Sequence, residues 1–164
     1  MSTRDSNEVF GGMGAGMPKR NVMEEDFGYE VPVETVPIPS QGIVYDESNP
    51  VSMSKTVDIR AMTAKDEDIL TSRALIKKGT VISHLLHNCL IDKRIDVNEL
   101  LIGDRNAIMT ALRVTGYGSD YSVKVNCPAC GESSEQTFDL TKLPIKRLGT
   151  APIAEGTNLF EVEL

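Results

Sequence analysis

The sequence predicts an α+β fold: a small helical centre flanked by short β elements, with a C-x-x-C β-hairpin and an extended N-terminal arm. Three observations carry that reading. Apolar residues recur at helical spacing between about residues 63 and 116 and alternate on either side. The 164 residues are 40% hydrophobic and include no Trp, four Phe and four Tyr, so the core must be aliphatic and of single-domain size. Charge is unevenly spread: residues 1–54 hold 3 basic and 9 acidic side chains, residues 55–164 hold 14 and 15, and the total is −7. The chain therefore divides into an acidic arm (1–54), an α+β body (55–145) and a C-terminal linker with a terminal strand (146–164).

The arm opens with glycines at 11, 12, 14 and 16 and contains five of the eight prolines. Val31, Val33, Val36 and Ile38 are interleaved with Pro and Glu. Proline fixes φ and removes a donor, so this stretch reads as an extended segment that orders against a partner. Val57 and Ile59 then alternate with polar residues, as a half-buried strand requires. Thr63 and Asp66 form a capping-box pattern at the start of a helix that runs to Lys77 and Lys78 and stops at Gly79. Thr80 caps a second helix, with Val81, Ile82, Leu85, Leu86, Cys89 and Leu90 on one face. Asp96 is expected to start a short helix ended by Gly103, and Asp104 to cap a longer one facing inward through Ala107, Ile108, Ala111 and Leu112. After Gly116 the period becomes 2: Tyr121, Val123 and Val125 lead into Cys127-Pro128-Ala129-Cys130-Gly131, and Gln136 to Leu140 returns. The chain finishes on an alternating stretch, Asn158 to Leu164, in which Phe160, Val162 and Leu164 could add to a neighbour's sheet.

Composition and motifs restrict function. An acidic excess disfavours nucleic-acid binding as the main task. No apolar run approaches the roughly 18–20 residues of a membrane span, and no secretory leader is evident. There is no phosphate loop, no H-E-x-x-H and no G-x-S-x-G, and the carboxylates at helix starts are explained by capping; no enzyme is expected. The remaining chemistry is the thiol turn. Cys127 and Cys130, spaced i and i+3 before a glycine, resemble half of a zinc ribbon, whose closed site needs four ligands. His84 and His87 share one helix face and are the candidate further ligands; Cys89 lies on the opposite, apolar face as a core thiol. Alternatives for the pair are a disulfide or a turn held by hydrogen bonds, so the expectation is no cofactor, with zinc as the other possibility.

The order of segments also resembles a known family. Pro39-Ser40-Gln41-Gly42-Ile43-Val44-Tyr45 looks like its P-S-x-G-x-x-Y motif. There follow Met62 to Leu70, Ile76 to Thr80, Leu100-Leu101-Ile102-Gly103-Asp104-Arg105-Asn106, Ala111 to Gly118, the C-P-x-C-G turn and Phe138-Asp139-Leu140. Over about residues 36–145 this resembles the baseplate hub and wedge-associated proteins of contractile-tailed bacteriophages. The resemblance implies a non-enzymatic virion subunit, synthesised in the host cytoplasm, whose partners are other baseplate, hub and spike subunits. A zinc-ribbon adaptor, or an assembly chaperone not retained in the virion, is the alternative.

Overall fold

The computed structural model describes residues 21–24 and 30–162; the glycine run of the arm and Leu164 lie outside the described residues. Strands β1 (Asn21–Glu24), β2 (Glu30–Pro37) and β3 (Thr56–Arg60) make an antiparallel sheet with β2 in the middle. Helices α1 (Ala64–Thr71), α2 (Arg73–Lys78), α3 (Val81–Cys89) and α4 (Ile102–Tyr117) follow. A separate hairpin, β4 (Asp120–Asn126) with β5 (Ser133–Asp139), ends in a short 3₁₀ turn at Leu140–Lys142. The class is α+β, as the two apolar periods predict.

One aliphatic core joins the sheet to α3 and α4. Val36, Ile38, Val57 and Ile59 meet Leu85, Leu86 and Cys89 of α3 and Ile108, Ala111 and Leu112 of α4. Leu90 leaves α3 as a bridge to Ile59, and the Ile91 N–H donates to the Asp58 carbonyl at 3.0 Å, extending the sheet by one rung.

The chain does not divide at residue 54. Val36, Ile38, Val44, Tyr45 and Val51 are buried in the same core as Leu86 and Ile108. The segment expected to wait for a partner is instead the central strand of its own sheet. Its prolines permit this by position. Pro32 lies one residue before the ladder with β3 begins at Val33, and Pro37 is the last pair of that ladder, opposite Thr56. The Ile38 N–H then donates to the Lys55 carbonyl at 3.0 Å. In the isolated chain, the amide of Ile38 should therefore exchange as slowly as those of α3 and α4; exchange at coil rates would restore the partner-dependent arm.

Three further expectations change. The helix expected over 64–78 breaks at Ser72, whose φ/ψ of −65/106 is extended. Thr71 and Ser72 are poor helix formers, and Ser72 begins a new helix by accepting from the Ile76 N–H at 3.0 Å. The short helix at Asp96 is a turn: the Asp96 carboxylate accepts from the Asn98 N–H at 2.8 Å, which competes with helix formation. The terminal strand is also replaced, since Asn158–Val162 pair with no strand. The C-terminal segment lies along the β2–β3 loop: the Leu148 N–H donates to Pro39 and the Gly156 N–H to Ile43, while Ile145, Leu148 and Phe160 cover the core. Within the chain, Phe160 is therefore placed by apolar burial against the body and not by a strand ladder.

Candidate functional site

The densest polar cluster is buried where the β2–β3 loop meets the start of α4. Asp104 was expected to cap α4, but the helix begins two residues earlier and places it inside the first turn, fully buried. Asp104 Oδ1 accepts from the Ser40 N–H at 3.0 Å. Asp104 Oδ2 accepts from Ser40 Oγ at 2.6 Å and from the Tyr45 hydroxyl at 2.6 Å. Both donors are themselves satisfied: Ser40 Oγ accepts from the Gly42 N–H at 3.1 Å, and the Tyr45 hydroxyl accepts from the Leu101 N–H at 2.9 Å. One carboxylate thus fastens a loop 64 residues earlier in sequence, and Tyr45 satisfies an amide at the open start of α4. A negative charge here also complements the helix dipole. Burial pushes the Tyr45 phenol upward, and its bond to Asp104 adds to the shift, so the hydroxyl remains a donor at any ordinary pH.

The second buried carboxylate is Asp66. The capping box read from the sequence forms, with the Asp66 carboxylate accepting from the Thr63 N–H and hydroxyl, both at 2.8 Å. Arg60, at the end of β3, adds a bidentate pair at 2.6 and 3.0 Å. Burial alone would raise this carboxyl, but the bonds from Arg60 and Thr63 outweigh it and hold it at about 2, against an ordinary 3.8. The two side chains are 12% and 1% exposed, so solvent screening is slight. Because the folded value lies below the unfolded one, the resulting stability, about 2 kcal/mol, is present above pH ~4 and lost as pH falls towards 2. Asp66→Asn should remove that part of the acid slope in urea titrations. An unchanged slope between pH 4 and 2 would show that the pair does not couple to folding.

The thiol turn stands apart from both. Cys127 and Cys130 are exposed on the β4–β5 turn and are not joined in a disulfide. The turn is closed by Gly131 N–H to the Cys127 carbonyl and Cys127 N–H to the Glu132 carbonyl, each 2.8 Å. Backbone N–H groups of Cys130 and Ala129 donate to the Cys127 sulfur and lower its pKa. His84 and His87 line a shallow cleft with Asp96 and Asn98 on another part of the surface. The structure does not gather them with the cysteines: among the described residues, no three His, Cys, Asp or Glu side chains are placed to hold a metal ion. Cys89 is buried in α3, and burial raises its thiol to about 11, leaving a core side chain with little thiolate character. The hairpin is tied to the body at its base. Arg113 donates to the carbonyls of Gly118 and Asp120 and stacks against Tyr117 and Tyr121.

The residues expected to meet partners are distributed differently. Val31, Val36 and Ile38 are buried within the chain, Val33 is half-buried, and Phe160 packs on the core. Val162 is 74% exposed. Sequence reasoning missed other exposed apolar side chains: Met53, Ile102, Ile153 and Leu159 on the body, and Tyr121, Val125 and Phe138 on the hairpin. Among the described residues no helix is long and apolar enough to cross a membrane.

These features fall within a recognisable family pattern. A family model described as T4 bacteriophage base plate protein matches residues 44–158. That span includes Tyr45, the Arg60–Asp66 pair, Asp104 and the thiol hairpin. No curated protein and no solved structure matches the chain. The family match covers well over half of the sequence and runs through every element from the β2–β3 loop to the C-terminal segment, so the chain belongs to the T4 bacteriophage base plate protein family.

Proposed function

We propose that this phage baseplate protein is a non-catalytic subunit of the hub region of a contractile tail. It binds neighbouring baseplate, hub and spike subunits in fixed orientations and supports assembly before the tube and sheath grow. It is made in the host cytoplasm and retained in the virion, and it uses neither nucleic acid nor a catalytic cofactor. The observation that carries this reading is how the side chains are used. The two buried carboxylates, Asp104 and Asp66, are both sealed by structural hydrogen bonds that hold loop to helix and strand to helix. Large apolar side chains meanwhile lie on the surface, with Ile102, Ile153 and Val162 each more than 60% exposed. Such surface is a feature of proteins that complete their burial against neighbours.

Cross-linking mass spectrometry on purified particles tests the proposal. Lys124 on β4, and Lys142 and Lys146 between the hairpin and the C-terminal segment, should link to hub or spike subunits. Recovery only from a soluble lysate fraction, with none in purified virions, would replace the hub role with that of an assembly chaperone.

A further inference from the structure

The β4–β5 hairpin presents two thiols at its turn, and among the described residues no third His, Cys, Asp or Glu is placed to join them. The sequence has three cysteines and two histidines. Cys89 is buried in α3, while His84 and His87 belong to a different part of the surface. The turn is nevertheless fixed in shape: two 2.8 Å backbone bonds close the loop around the pair, and both cysteines are exposed and free.

We propose that Cys127 and Cys130 are one half of a tetrathiolate zinc site whose other half is the same pair from a second copy of this chain. Tetrahedral zinc is closed by four ligands, and a two-fold axis through the metal supplies two from each copy with no third component. Binding releases the four thiol protons to water and forms four Zn–S bonds, leaving the site with a net charge of −2. One other feature of the hairpin fits a paired arrangement. Tyr121 and Phe138 are direct cross-strand partners and Val125 lies on the same face, so three large apolar side chains are left nearly half exposed on one side of this ribbon. A two-stranded ribbon with an uncovered apolar face gains stability when a second ribbon covers it.

The test uses the full chain, reduced, with zinc sulfate added, and reads mass by light scattering and metal content by elemental analysis. The expected result is a dimer with one zinc per two chains, reverting to monomer on addition of a chelator. The variant carrying Cys127→Ser and Cys130→Ser should stay monomeric and metal-free. Cobalt titration of the unaltered protein gives a check independent of any variant: tetrathiolate absorption should saturate at one cobalt per two chains. One metal per monomer, no metal uptake by the reduced chain, or a dimer that survives the double substitution would each overturn the proposal. All readouts are made on the purified protein and do not depend on the hub role.

Discussion

Asp104→Ala should cost about 4 kcal/mol of stability, a large part of what a domain of this size possesses. The carboxylate accepts three short bonds while fully buried, and its removal strands the Ser40 N–H, the Ser40 hydroxyl and the Tyr45 hydroxyl away from water. It also leaves a void beside the first turn of α4. Asp104→Asn keeps the volume but turns a donor towards groups that are themselves donating, so it should recover little. Tyr45→Phe alone should cost about 1–2 kcal/mol, because it orphans the Leu101 N–H and one acceptor site on Asp104. The decisive measurement is the double-mutant cycle in urea. If the network holds the loop to the helix, Tyr45→Phe on the Asp104→Ala background should cost at least about 1 kcal/mol less than it does alone. Strict additivity would mean that apolar contacts around Val44 and Val51 position the loop without the carboxylate.

The same residue shows where sequence reading succeeds and where it stops. Features governed by neighbours a few positions apart were legible. The stripe Leu85, Leu86, Cys89 is the buried face of α3, the Thr63/Asp66 box forms, and the C-P-x-C-G turn joins two strands. Asp104 looked like a cap because an Asp before a helical pattern is satisfied locally in most chains. Its actual donors are contributed by Ser40 and Tyr45, at sequence separations of 64 and 59, beyond any local rule. A signal was present all the same: Ser40 and Tyr45 belong to one family-like motif and Asp104 to another, and a hydroxyl, a phenol and a carboxylate are chemical complements. The stretch from Val31 to Ile38 departs from expectation for a related reason. Proline density disfavours regular structure on average, but Pro32 lies just outside the β2–β3 ladder and Pro37 is its last pair, so neither removes a donor from within it. The closing strand was read from alternation alone, while the nearby core gave Phe160 a better place to bury.

For the thiol hairpin, the motif was plain but its completion was not. Spacing identifies two ligands and says nothing about which surface supplies the others. His84 and His87 were eligible by type and helical phase, yet α3 turns its buried face to the sheet and leaves both histidines lining a cleft away from the turn. Placement in three dimensions, which sequence separation does not encode, decides between a site closed within one chain and one shared between chains.

Gly42→Ala should be the most damaging glycine-to-alanine change among the described residues, at about 3–5 kcal/mol. Gln41 and Gly42 have φ of 53° and 74°, a turn that reverses the chain between Ser40 and Ile43 with the Ile43 N–H donating to the Ser40 carbonyl. A Cβ on Gly42 would lie 2.4 Å from the Val51 carbonyl oxygen and 2.6 Å from the Ser54 nitrogen, both backbone atoms with no rotamer to yield. Relief requires moving residues 51–54 outward. That would pull the fully buried Val51 from the core and stretch the bond from the Met53 N–H to the Gly42 carbonyl. It would also disturb the Gly42 N–H bond to Ser40 Oγ, and through it the Asp104 network. Gly79→Ala is the control. Its φ of 71° imposes a similar backbone penalty, but nothing lies within 4 Å of the added methyl, so its cost should be only about 1 kcal/mol. The difference between the two variants in urea unfolding isolates the close approach of the two loop segments. Equal losses would show that the β2–β3 loop can open at little cost, and that Asp104 alone keeps it closed.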